Sequence, residues 1–291
     1  MLPRWLLLLI VAVANSDRHN SSSVYSISSE FGMDTAETNC EDEWYLCELK
    51  SAGWYTAHDL QLTGPCTIER RSASTLSVTE FISEYVRTKP VIITGGSDQS
   101  EFKYHSTRAR LLEKYSNEEI ILSTANTYSY TRVRMSVQEY INQYMFPQTL
   151  GTRANKTLYY FGDNDREGWK ELFNIYKFPF YEIPNLKPEI SFGMAGPSSG
   201  VAFHFHGPTF AETIYGRKRW FLYSPQVQPN FDPNNTTLHW LHHVYPSLPD
   251  DVKPFECTLL PGEVLFIPDR WWHATINVDT CVFVSTFLGP A

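Results

Sequence analysis

Helical spacing governs the first half of the chain and strand spacing the second. Residues 77–88, SVTEFISEYVRT, put Phe81, Ile82, Tyr85 and Val86 on one face behind Ser77, with Glu80 three positions after it, which predicts a capped helix. KPVIITGG (89–96) predicts a short buried strand, and further helices are expected near 106–116 (STRARLLEKYS), over 136–145 (SVQEYINQYM) and over 168–176 (GWKELFNIY). Strands are expected at EIILST (119–124) and LYYFGD (158–163). After residue 188 the helical period disappears, and EISFGMAG, GVAFHFHG, AETIYGRKRWFLYSP, FECTLLPG, EVLFIPD, WWHATIN and TCVFVSTFLG each read as strand. Helices followed by a β-rich half predict an α+β fold whose strands build a double-sheet jelly roll or barrel. No internal repeat interrupts this order.

The N-terminus follows neither period. MLPRWLLLLIVAVANS has one arginine, an apolar run too short to span a bilayer comfortably, and small residues suited to cleavage after Ala14 or Ser16. We read residues 1–16 as a secretory signal peptide, with a retained anchor as the alternative. Residues 17–65 form an N-terminal extension, Ser/Thr/Asn-rich and flexible up to 39, then acidic and aromatic, and the main domain is expected over 66–291. Four sequons, at Asn20, Asn155, Asn234 and Asn235, fit entry into the endoplasmic reticulum as a glycoprotein. The final FLGPA carries no KDEL-type retrieval signal, so secretion is the alternative to lumenal residence.

Charge narrows the partners. The net charge of −8 leaves no basic field for a phosphate backbone, so nucleic acid is not an expected partner, and no membrane span is expected once the leader is removed. The basic run GRKR (216–219) leads directly into WFLY and belongs to a strand rather than to a nuclear signal. Five cysteines in an oxidising compartment leave one over, or pair one with another chain. The expected bridges are Cys40 with Cys47 and Cys66 with Cys257, with Cys281 as a buried thiol in an apolar run. No CxxC or CxH spacing supports a zinc knuckle or a thioredoxin-type redox motif.

The chemistry centres on VAFHFHG (201–207). On a strand, His204 and His206 share one face while Phe203 and Phe205 share the other. Non-haem iron(II) oxygenases use three ligands on one face, two His and one carboxylate, and His273 on a later strand supplies a distant third. Lys218, twelve residues after His206, is suited to holding the far carboxylate of a dicarboxylic cosubstrate, with a solvent-facing edge lysine as the bland alternative. Its neighbours Arg217 and Arg219 have the opposite parity.

AFHFHG, GRKRWFLYSP and LPGEVLFIPDRWWHATIN, in this order and spacing, resemble the jumonji-C (JmjC) family of 2-oxoglutarate-dependent oxygenases within the cupin superfamily. TIERR, LSTANTYSY and YYFGDN resemble a small secretory-pathway branch of that family. The resemblance covers about Cys66 to Gly289 and implies a double-stranded β-helix, the cupin-type JmjC barrel with preceding helices, in a lumenal glycoprotein. It implies iron(II) held by His204 and His273, with 2-oxoglutarate at Lys218. The family pattern is His-x-Asp or His-x-Glu, and His206 departs from it. Val201 and the lack of an Asn between His206 and Lys218 depart from the usual cosubstrate site. Glu212, six residues before Lys218, is expected either to pair with it or to offer the metal a replacement carboxylate. Tyr130 is a weaker cosubstrate candidate, with a core aromatic as its alternative.

Two further signals carry little. GPSSG (196–200) matches G-x-S-x-G but lacks the following helix of a nucleophile elbow. His239 and His243 share a helix face without the Glu of H-E-x-x-H, and read as a surface cluster with metal binding as the alternative.

Three functions follow as expectations. The first is a regulatory or protein-binding JmjC barrel with an atypical iron site. The second is an active Fe(II)/2-oxoglutarate-dependent protein hydroxylase, and the third a three-His cupin dioxygenase. In the first two, protein partners or a protein substrate lie in the secretory pathway, and Trp220, Trp271 and Trp272 near the site offer a binding surface. Leader, sequons and acidity oppose histone demethylation.

Overall fold

The computed structural model describes residues 40–56, 64–127, 131–162 and 164–291; the signal peptide, Asn20 and Tyr130 lie outside the described residues. The helical layer comes first. Helix α1 (Trp44–Ser51) precedes strand β1 (Arg70–Ser72), α2 (Val78–Glu84), β2 (Val91–Thr94), α3 (Ser100–His105), α4 (Arg108–Tyr115), β3 (Glu119–Thr124) and β4 (Arg132–Ser136). Next come α5 (Val137–Gln143), β5 (Leu158–Phe161), α6 (Lys170–Asn174), β6 (Leu186–Ala195), β7 (Thr209–Tyr215), β8 (Lys218–Tyr223) and α7 (Thr237–His243). Strands β9 (Phe255–Leu259), β10 (Glu263–Ile267), β11 (Trp272–Asn277) and β12 (Cys281–Pro290) close the fold. Hydroxyl caps start four helices: Ser77, Thr107, Ser136 and Thr236 each accept the amide hydrogen three residues on.

Two sheets face each other. Among the described residues the larger has nine strands in the order β1-β2-β10-β7-β12-β6-β5-β3-β4, and the smaller has three, β11-β8-β9. Alternation along β12 shows how the layers divide. Val282 and Val284 enter the large core beneath the helices, with Leu49 of α1, Leu111 of α4 and Tyr140 of α5, whereas Phe283 and Ser285 face the gap between the sheets. The outer face of the small sheet, with Phe221, Ala274 and Ile276, is covered by Leu238 and Trp240 of α7.

Several expectations change. The helix expected near 106–116 is α4, which begins at Arg108 because Thr107 takes up extended backbone to cap it, and α3 ahead of it was not foreseen. The run 211–225 is not one strand: Gly216, at φ 79°, reverses the chain from β7 in the large sheet to β8 in the small one. Residues 201–207 form no ladder strand. They run extended along β11 through a bridge at His204 and His273, with further ties from Thr275 N–H to Val201 O and from Arg270 N–H to His206 O. Helix α1 was not foreseen as a helix, and it is joined to the domain through Leu46, Leu49 and nearby Trp54 in the main core.

Cystines join Cys40 to Cys47 and Cys66 to Cys257, while Cys281 is a buried free thiol, as expected. Asn155 and Asn234 are exposed and Asn235 is half-buried. Among the described residues no helix is long and apolar enough to cross a membrane.

Candidate metal and anion site

The gap between the sheets narrows to a pocket of about 490 Å³ including its mouth. The small sheet contributes Lys218, Trp220, His273, Thr275 and Asn277, the large sheet contributes Tyr159, Phe161, Phe283 and Ser285, and the 200–206 segment contributes His204 and His206. The extended backbone of that segment turns both imidazoles inward. Phe203 points outward onto Trp240, with ring centroids 5.0 Å apart, and Phe205 packs on Trp272 at 4.7 Å. Gly200 allows the segment to lie this close, because a Cβ there would overlap the carbonyl of Thr275.

His204, His206 and His273 form one cluster whose ligand nitrogens all lie within 4.8 Å of one another. Each ring is fixed the same way. Nδ1 of His204 donates to the Ala202 carbonyl at 2.9 Å, Nδ1 of His206 to Gly207 at 2.8 Å, and Nδ1 of His273 to Trp271 at 2.9 Å. A carbonyl only accepts, so the proton sits on Nδ1 and every Nε2 presents a lone pair to the pocket. Burial is the main cause that lowers all three imidazoles, helped by Lys218 acting on His204 and by the rings acting on one another. His206 is pushed down to about 3. Neutral imidazoles with oriented lone pairs fit a divalent transition ion such as iron(II), and these three residues would hold it.

Lys218 stands in the same pocket. Its ammonium donates to Oδ1 of Asn277 at 2.8 Å and lies 3.9 Å from the centroid of the Phe283 ring. Burial lowers it to about 8. Its neighbours turn away, as their parity requires: Arg217 pairs with Asp279 at 2.8 Å, and Arg219 with Glu256. Lys218 is thus a buried cation oriented by a neutral amide, an arrangement suited to an incoming carboxylate.

Glu212 joins neither group. The turn at Gly216 breaks the strand on which its parity with Lys218 depended, so Glu212 faces the helical layer with Phe210 and Ile214. There it accepts from Ser97 Oγ at 3.0 Å, Gln99 Nε2 at 3.1 Å and the Tyr176 hydroxyl at 2.9 Å. The expected pairing with Lys218 and the expected metal carboxylate are both corrected. Asn277 was missed in the sequence, although HATIN places His273, Thr275 and Asn277 at alternate positions of one strand face. Ser285 could have been found by the same parity from Phe283.

Two sheets closing on a histidine cluster and a buried lysine define a cupin-type barrel, and a family model described as "Cupin-like domain" matches residues 78–287. The chain belongs to the JmjC proteins of this cupin-like family. It is 51% identical to JmjC domain-containing protein 8 of Homo sapiens over 224 residues, 77% of this chain and 84% of that one. The same protein of Mus musculus is 52% identical, over 77% of this chain and 82% of its own. Among solved structures, the Escherichia coli ribosomal oxygenase YcfD aligns with a TM-score of 0.45 and 17% identity, over 75% of this chain and 53% of that one.

Proposed function

We propose that the protein is a lumenal JmjC barrel of the secretory pathway that binds a divalent metal on three imidazoles and a dicarboxylate at Lys218, and acts by binding protein partners rather than as a standard oxygenase. One observation carries this reading: among the described residues no carboxylate joins the metal ligands, since His206 occupies the place and Glu212 faces the other side of its sheet. Iron bound at such a site would supply redox chemistry, and a carboxylate ligand would favour its higher oxidation state by charge. An all-neutral donor set removes that charge. The chain's own part is to fix three lone pairs, to hold a cation opposite, and to line the remainder with aromatic rings. The leader sequence, the sequons and two cystines support the lumenal assignment.

The orientation of Lys218 by Asn277 favours a second reading, an Fe(II)/2-oxoglutarate-dependent protein hydroxylase, because a buried cation facing the metal ligands is what that cosubstrate requires. Anaerobic iron(II) binding with and without 2-oxoglutarate, in wild type and His206→Asp, separates the two. The binding-protein reading expects the dicarboxylate to bind wild type at Lys218 without chelating the iron, so that the iron spectrum responds to 2-oxoglutarate in His206→Asp alone. A wild-type iron complex whose spectrum responds to 2-oxoglutarate would transfer the assignment to the hydroxylase. Oxygen consumption by wild-type iron protein without 2-oxoglutarate would instead point to a three-His dioxygenase.

A further inference from the structure

We propose that His239 and His243 on α7 form a second divalent transition-metal site, a two-imidazole chelate separate from the histidine cluster between the sheets. Thr236 caps the helix by accepting the His239 amide hydrogen at 3.0 Å, which sets the register of the first turn. Residues four apart then lie one above the other on one face. The two rings meet with centroids 4.4 Å apart and planes inclined by 45°.

That separation matches the 4.4 Å between His206 and His273 in the pocket. It also suits two nitrogens each about 2.0–2.1 Å from one ion. Among the described residues, neither the His239 ring nor the His243 ring has a hydrogen-bond or ion-pair partner, so their ring nitrogens are not committed to the protein. Side-by-side imidazoles without polar partners gain little from each other and much from a shared Lewis acid. His239 is half-buried and His243 exposed, so water fills the remaining coordination positions. Imidazole ligands select zinc, copper or nickel over magnesium or calcium.

The opposite face of α7 is anchored. Trp240 and Leu238 are buried in the cluster with Phe203, the residue before ligand His204. A chelate across one helical turn therefore stiffens the element that backs the pocket segment, without entering the pocket.

The test is Zn²⁺ titration of the purified full chain by calorimetry, with Cu²⁺ electron paramagnetic resonance as the second readout. Wild type is expected to show an α7 site in addition to whatever the pocket binds. His243→Gln, at an exposed position, is expected to weaken that site about a hundredfold by removing the intramolecular second donor, and His239→Gln to do the same. Copper at this site is expected to show splitting from two nitrogens. His204→Ala should leave the α7 site intact, which keeps the outcome independent of the pocket assignment. Unchanged zinc binding in both Gln variants overturns the proposal. So does an equal loss in His242→Gln, the exposed neighbour, or a one-nitrogen copper spectrum.

Discussion

Asn277 holds Lys218 from the facing strand, amide oxygen to ammonium at 2.8 Å, and the two residues are direct cross-strand partners in the β8–β11 pair. The amide orients the cation without neutralising it. Its own Nδ2 donates to Ser199 Oγ at 3.0 Å, so its orientation is fixed from behind. A carboxylate here would cancel the charge that an anionic ligand needs.

Asn277→Asp is therefore expected to fold and to lose anion binding. Affinity for 2-oxoglutarate or succinate, measured calorimetrically on the metal-loaded protein, should fall about tenfold or more, the scale of one charge-assisted hydrogen bond. Unchanged affinity would mean that Lys218 is not the anion anchor.

Gly200→Ala tests the placement of the ligand segment. Its Cβ would overlap the Thr275 carbonyl, so the backbone of residues 198–206 must move away from β11. Metal binding should be lost while the helical layer stays folded. Circular dichroism that retains helix, together with absent iron(II) uptake, is the expected pair of results.

The buried carboxyl of Glu212 should mark the stability profile against pH. Burial raises it to about 7, against donation from Tyr176, Ser97 and Gln99 and the charge of Lys103. The unfolded carboxyl releases its proton near the ordinary 4.5. Between these values the folded chain binds the extra proton, so this residue's contribution falls as pH rises and is fully lost above about 7, by about 3 kcal/mol. In urea melts Glu212→Gln should gain on wild type as pH goes from 5 to 8. A pH-independent difference between the two would contradict this.

The two cystines should differ in weight. Cys66–Cys257 closes a separation of 191 residues and Cys40–Cys47 one of 7. Chain-entropy scaling gives about 5 kcal/mol for the long closure against about 2 for the short one. Cys257→Ser should lower the melting temperature more than Cys47→Ser, as thermal unfolding would show.

The sequence carried the site further than it carried the strands. Side-chain alternation predicted a shared face for His204 and His206, and both turn into the pocket that Lys218 also lines, because inward orientation depends only on local extended backbone, which survives even where no ladder forms. The Glu212 expectation failed because parity holds only within one strand, and the reversal at Gly216 moves the chain to another sheet. Strand β4 was not foreseen: RVRMS lies at the sheet edge, where polar residues are tolerated and apolar alternation is weak. Asn277 was legible by parity, but its role depends on which strand lies opposite, and that is a long-range fact.

The pocket is shared between two sheets that have no strand in common, with Lys218 and His273 on one and Phe283 and Ser285 on the other. A molecule lodged there works as a bolt through both. Pulling the sheets apart then requires its release, so occupancy raises the unfolding free energy of the molecule as a whole, by RT ln(1 + [L]/Kd). The barrel is in this sense its own gauge: a shift in bulk melting reports a ligand before any reaction of that ligand is known.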